Sequence, residues 1–237
     1  MKRLNLPPET EARLAKLGAG SGRLEKKPQP VFLSSGILQV DELTGGIPRG
    51  AITLVVGPPT SGRTTLMNST LASAGSLGEV CALVDATDSF HPASAQAAGL
   101  DLDRLLWVQC GGNVSHAMAA AEMILQGGGF GLVVLDLGSI SILDEGAIPD
   151  STWFRYRRAI ENSPTSMLVI GNKTLSASCA SLVLEMETAK PRWGGKEGAP
   201  SIASPLLGLE LTIKQRKPIS PARSRKIITS LDHEIRD

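Results

Sequence analysis

The chain has 237 residues, 42% of them hydrophobic and 20% charged. This is a globular composition, sufficient for one or two domains of roughly 150 residues each. Aromatics make up only 3%, so the core has to be built from Ala, Val, Leu and Ile, which suits a buried parallel sheet between helices. Among function classes, a membrane span is excluded because no apolar run reaches the roughly 18 residues it needs.

The opening Met1-Lys2-Arg3-Leu4-Asn5-Leu6-Pro7-Pro8 carries charge but no apolar stretch, so no secretory leader is expected. Cys81, Cys110 and Cys179 are far apart and each borders an apolar run. They read as reduced, mostly buried thiols of a cytoplasmic protein. No CxxC or HxxxH pair offers zinc a site. His91, His116 and His233 show no metal spacing and receive no role.

The net charge of +1 hides a segregation. Residues 1–27 and residues 213–237 each carry seven Lys/Arg against three acids, leaving the middle of the chain acidic. Either the two basic ends meet a polyanion or an acidic partner, or both are solvated tails.

In chain order, residues 8–17 have a helix's punctuation, with Pro and acids at the start, Lys near the end and Gly18 after it. Residues 18–30 contain glycines, prolines and lysines and read as a linker. Residues 1–30 are therefore expected to be an appendage, and residues 31–237 the core domain with a basic C-terminal end. Apolar strands are expected at 52–56, 80–84, 105–108, 132–135 and 167–170. Helices are expected at 63–74, 92–98, 113–126 and 152–162. This alternation predicts an α/β fold with a mostly parallel central sheet and flanking helices. After Thr174 the pattern changes: 182–187 and 207–213 read as antiparallel C-terminal strands, 190–205 as a Gly-, Pro- and Ser-rich mobile loop, and Ile227-Ile228 as a last short strand.

The strongest motif is Gly57-Pro58-Pro59-Thr60-Ser61-Gly62-Arg63-Thr64-Thr65. It has the spacing of a phosphate-binding loop, G-x-x-x-x-G-K-[ST], with Arg63 where Lys belongs. A strand before it and a helix after it supply the right context, because backbone N–H groups and a helix N-terminus then converge on an anion. Thr64 is placed to hold Mg²⁺. Asp136, at the end of an apolar strand, either is the second magnesium-side acid or caps a turn. Arg is a planar fork where Lys is a point charge, so it will not sit in the same place. ATP or ADP binding with Mg²⁺ is a candidate, and efficient hydrolysis is not expected.

Arg155, Arg157 and Arg158 share one helix with Trp153, Phe154 and Tyr156. The arginines either contact DNA or a protein partner or simply face water, while Trp153, Tyr156 and Ile160 have the spacing to pack on the sheet. Lys214, Arg216, Lys217, Arg223, Arg225 and Lys226 form a run without acids that could follow a phosphate backbone or meet a partner's acidic face.

Thr44-Gly45-Gly46-Ile47-Pro48-Arg49-Gly50, the phosphate loop, Cys81 to Asp88, His91-Pro92-Ala93, Ala98-Gly99-Leu100-Asp101 and Leu105 to Gln109 together resemble the RecA family over residues 34–172. The resemblance implies a RecA-like P-loop fold. It also exposes departures. Thr87 stands where the recombinases place the Glu that positions the attacking water, with Asp88 one residue off and on the opposite strand face if that strand persists. Asn172, after Ile170-Gly171, is a shortened substitute for the nucleotide sensor. Only Lys173 to Ala180 remain of a long DNA-binding loop. No catalytic residue is assigned.

These departures, with Phe130 to Leu137, Trp153-Phe154-Arg155, Ser178-Cys179-Ala180 and Pro191-Arg192-Trp193, most resemble the ImuA group of RecA-like accessory proteins of translesion synthesis. That resemblance implies a non-catalytic adaptor in the DNA-damage response. Its implied partners are an ImuB-like polymerase homologue, RecA or a second copy through the N-terminal helix, and DNA. A DNA-stimulated ATPase and a SulA-like division inhibitor are the alternatives.

Overall fold

The computed structural model describes residues 31–138, 140–141, 144, 146–172, 178–187, 190–193, 206–217 and 224–230. The helix and linker expected in residues 1–30 lie outside the described residues, as do residues 194–205 and Arg223.

The chain enters through β1 (Phe32–Leu33), α1 (Leu38–Thr44) and β2 (Ile47–Pro48), with β1 and β2 paired antiparallel. The main elements follow in sequence. They are β3 (Ile52–Val56), α2 (Arg63–Ser76), β4 (Cys81–Asp85), α3 (Pro92–Ala97), β5 (Leu105–Gln109), α4 (Val114–Gly127), β6 (Leu132–Asp136), α5 (Asp150–Ile160) and β7 (Ser166–Gly171). Strands β8 (Leu182–Met186), β9 (Lys190–Trp193), β10 (Leu206–Lys217) and β11 (Ser224–Ser230) complete the described residues.

The main sheet runs β11-β10-β8-β3-β7-β6-β4-β5, with β9 added beside β10. Pairs from β8 to β5 are parallel, and β10 pairs antiparallel with β8, β9 and β11. Every residue of β3, β4, β6 and β7 is buried. This is why those segments read as unbroken apolar runs and not as alternation.

Each strand feeds two cores. Val55, Leu83, Val134 and Leu168 face Leu66, Met67 and Leu71 of α2. Leu54, Val84, Val133 and Met167 face Ala117 and Ala121 of α4 and Trp153, Tyr156 and Ile160 of α5. Helix α2 has no side-chain hydrogen bond at its N-cap. Its fully buried Leu66, Met67 and Leu71 contribute roughly 1.5–3 kcal/mol each, more than the ~1 kcal/mol a cap supplies, so packing holds it. On α5, Trp153 and Tyr156 meet edge to face, and the Tyr156 hydroxyl donates to the Met118 carbonyl at 2.6 Å. The three cysteines are free and buried.

Three expectations are corrected. Residues 182–187 do not form a purely antiparallel strand: β8 lies parallel to β3 on one edge and antiparallel to β10 on the other. It is the strand at which the sheet changes direction. Residues 190–193 are not loop but strand β9, because the long β10 extends past β8 and leaves backbone for Lys190–Trp193 to pair with. The strand before Thr87 does not persist: β4 ends at Asp85, and Asp88 has φ 56°, so strand-face alternation does not reach it.

Candidate functional site

The carboxyl ends of the parallel strands gather the residues singled out above, as expected where an open α/β sheet places its ligand crevice. The loop between β3 and α2 wraps tightly there. Two of its glycines are demanded by space. A Cβ at Gly57 would lie 2.5 Å from the Met186 carbonyl oxygen and 2.9 Å from Ser61 Oγ. Gly62, at φ 87°, would meet the Leu211 side chain at 2.6 Å. The loop is thus fitted onto β8 and β10. Thr60 also adopts a positive φ of 63°. Thr60, Ser61, Gly62, Arg63, Thr64 and Thr65, with Pro191 of β9, line a cavity of about 410 Å³. Thr64 and Thr65 are exposed to it. Ser61 is 1% exposed, and among the described residues its hydroxyl has no hydrogen-bond partner.

Arg63 belongs to that lining, and backbone carbonyls hold its guanidinium. The residue is 8% exposed, and its guanidinium donates to the Gly171 carbonyl at 2.5 Å and the Gly138 carbonyl at 3.1 Å. It therefore ties α2 to the ends of β7 and β6. Asp136 and Arg63 flank Gly138: a Cβ there would come 3.0 Å from Asp136 Oδ1 and 3.4 Å from Arg63 Cζ. The Asp136 carboxylate accepts the Gly138 N–H at 2.8 Å. Burial pushes its pKa above the ordinary carboxylate value, and Asp85 adds to this. The Gly138 hydrogen bond and the charge of Arg63 pull the other way.

The neighbouring acids are consumed by the backbone. Asp85 is fully buried and accepts from the N–H groups of Thr87, Ser89 and Phe90 at 3.4, 3.1 and 2.8 Å. Asp88 accepts from Cys110 and Gly111 at 2.9 and 3.2 Å, bracing the loop after β5. The Asn172 side chain donates to the Ile140 carbonyl at 3.3 Å. Gly138 and Leu211 complete the site and were not singled out from the sequence, while Gly171 and Pro191 were quoted only for the family resemblance. Their roles come from strand pairing, which brings residues as much as 108 positions apart to Arg63.

The backbone cradle suits a phosphate. On the metal side Thr64 is exposed to the cavity, and Asp136 is buried with one oxygen accepting from Gly138.

The proposed contact cations lie elsewhere, and four of the nine have an ion-pair or hydrogen-bond partner among the described residues. Lys214 pairs with Glu187 and Arg216 with Glu185 across the β10–β8 ladder, and Lys217 donates to the Ser178 carbonyl at 3.1 Å. Arg225 and Lys226 lie on β11. On α5, Arg155 pairs with Glu122 at 3.0 Å, Arg157 stacks 5.9 Å from the half-exposed Phe154 ring, and Arg158 is exposed. A second groove of about 410 Å³, lined by Met118, Glu122, Ile148 and Arg155 among others, separates α4 from α5.

A buried parallel sheet with a glycine-bracketed strand-to-helix loop at its carboxyl edge defines a P-loop α/β protein. Residues 15–147 match the family model for the RecA N-terminal domain. The chain belongs to the RecA family. It is 33% identical to Protein RecA of Deinococcus radiodurans over 172 residues, covering 70% of this chain and 45% of that protein. It is 37% identical to Protein RecA of Borrelia hermsii over 106 residues, 44% of this chain and 30% of that one. It is also 37% identical to Protein RecA of Symbiobacterium thermophilum over 123 residues, 52% and 34% of the two chains. The chain thus spans less than half the length of these relatives. Among the described residues, no helix is long and apolar enough to cross a membrane.

Proposed function

We propose that this RecA-family chain is a non-catalytic adaptor of DNA-damage-induced mutagenesis. It would act in the cytoplasm, binding an ImuB-like polymerase homologue and engaging RecA, a second copy or DNA. The observation that carries the non-catalytic half is the engagement of Arg63: the residue is 8% exposed and its guanidinium donates to the Gly171 and Gly138 carbonyls, at the position where a phosphate loop carries Lys. Transition-state stabilisation of a transferring phosphoryl group depends on cations placed at the phosphates. The nearby acids support the same reading. Thr87 carries no carboxylate, and Asp88 is spent on the N–H groups of Cys110 and Gly111.

The adaptor half rests on the resemblance to the ImuA group and on Arg157, Arg158 and Phe154 at the surface of α5. Steady-state ATP turnover, with and without single-stranded DNA, tests the first half; turnover at recombinase-like rates would overturn it. Pull-down of purified ImuB-like, RecA and FtsZ-type proteins tests the second. Capture of the polymerase homologue is expected. Capture of the FtsZ-type protein alone would favour the SulA-like alternative.

A further inference from the structure

We propose that the seam between α4 and α5 docks an amphipathic helix of a protein partner, apolar along one face and acidic at one end. The inference deepens the adaptor reading above and rests on it. Three observations carry it.

The first is the shape of the seam. Its groove of about 410 Å³ is floored by Val114 and Met118 of α4 and by Ile148 just before α5, all half-buried against the core. The fully buried Tyr156 donates to the Met118 carbonyl and so fixes the spacing of the two helices. Ala119 is exposed on the rim, and its small side chain leaves room for a third helix. From Val114 to Glu122 the groove follows α4 for roughly 12 Å, about two turns of a partner helix. Apolar side chains at i, i+3 or i+4 and i+7 of such a helix would reach it.

The second is charge. Glu122 is taken by Arg155 across the seam. Arg158 shares a helix face with Arg155, and neither it nor Arg157 has a carboxylate within ion-pair distance among the described residues. Asp144 and Asp150 lie at the other end, where the two helices begin. The seam is thus negative where α5 starts and positive in its last turn. A complementary helix carries its carboxylates at the end that reaches Arg158, where a guanidinium takes them bidentately.

The third is the pair of large apolar side chains beside the ion pair that spans the seam. Met123 follows Glu122 and is 74% exposed; Phe154 precedes Arg155 and is 50% exposed, with Arg157 over its ring. Met, aromatic and Arg side chains are the types enriched in protein interfaces. Single-stranded nucleic acid is the competing occupant. Asp144 and Asp150 oppose a phosphate chain there, and Phe154 is the one exposed aromatic of α5, whereas strand binding stacks successive bases.

A phage library of random peptides about five helical turns long, selected against the full chain, tests the inference. Enriched peptides are synthesised and titrated by fluorescence anisotropy. They are expected to place apolar residues at helical spacing and Asp or Glu at one end. Ala119→Trp fills the groove and is expected to weaken their binding by at least about tenfold. Arg158→Glu is expected to weaken it about tenfold at low salt and less as salt rises. Both positions are exposed, and circular dichroism and Tm matching wild type establish that the variants fold. No enrichment, enriched peptides without acids, or binding that survives either substitution would overturn the inference. So would oligothymidylate binding tighter than the peptides and lost in the same variants. The pull-down of the polymerase homologue is repeated with both variants. Capture lost in both supports the groove and the adaptor reading together. Capture that survives in both overturns the groove and leaves the adaptor reading. Peptide binding without capture by wild type overturns the adaptor reading and leaves the groove.

Discussion

Asp85 and Asp136 stand as direct partners on the adjacent parallel strands β4 and β6, both buried, with Arg63 beside the second. Two like charges at that spacing cannot be equally comfortable. Asp85 has three N–H donors, while Asp136 has one and the positive charge of Arg63.

The first prediction concerns pH. The folded-state pKa of Asp136 is raised, chiefly by burial, so its ionised form costs stability at neutral pH. Asp136→Asn keeps an acceptor for Gly138 and removes that cost. The variant is expected to melt a few degrees higher than wild type at neutral pH, at about 2–4 °C per kcal/mol for a chain of this size. Wild type should close the gap as pH falls through the raised folded value toward the ordinary 3.8. A gap that widens on acidification would contradict this.

A second prediction lies at the opposite, amino end of the strands. Arg49 donates through both guanidinium nitrogens to Glu79, at 2.6 and 3.0 Å, and also to the Gly131 and Pro164 carbonyls at 2.8 and 3.1 Å. The Arg49 side chain is only 11% exposed. Removing one partner of such a pair strands the other, so Arg49→Ala is expected to cost about 3 kcal/mol by urea unfolding. Arg49→Lys should recover part of this, since a point charge cannot serve four acceptors at once.

The third concerns alkaline stability. Burial, reinforced by the charge of Glu79, pushes the Cys81 thiol from 9.0 up to about 11, with a backbone hydrogen bond and Arg49 opposing. The unfolded chain ionises first, so this contribution to stability is present below pH 9 and drains away between pH 9 and about 11. Cys81→Ala should flatten that part of the stability profile. An unchanged profile would show that Cys81 does not set it.

The fourth concerns nucleic acid. Glu185 and Glu187 cancel Arg216 and Lys214 on neighbouring strands. The double substitution Glu185→Gln, Glu187→Gln is expected to strengthen binding of single-stranded DNA and to steepen its salt dependence by about 1–2 in slope, one for each released cation. Unaltered slopes would place any DNA contact elsewhere.

Much of the architecture was readable from residues. The runs around Val55, Val84, Val134 and Val169 are apolar without alternation because both faces of those strands are covered, and the glycines of the loop mark where it is pressed against the Met186 backbone and the Leu211 side chain. What composition could not reveal was direction. Arg63 sits at the position of a phosphate-binding cation, yet its partners Gly138 and Gly171 are 75 and 108 residues away and become neighbours only when β6 and β7 align. The cationic run from Lys214 reads as unopposed because Glu185 and Glu187 precede it by 31 and 27 positions, and only the antiparallel pairing of β10 with β8 brings them within reach of Arg216 and Lys214. Strand β9 was hidden by Pro191, an uncommon strand residue that is tolerated where its missing N–H is not needed.

The Arg49 clasp has a bearing on time as well as on equilibrium. Its acceptors sit 30, 82 and 115 residues along the chain, so it closes only after β4, β6 and β7 have all arrived. Contacts of such separation are absent from early nuclei and weigh on the barrier to opening. Once assembled, the sheet should be slow to come apart: loss of Arg49 should shorten the native lifetime while leaving the refolding rate nearly untouched.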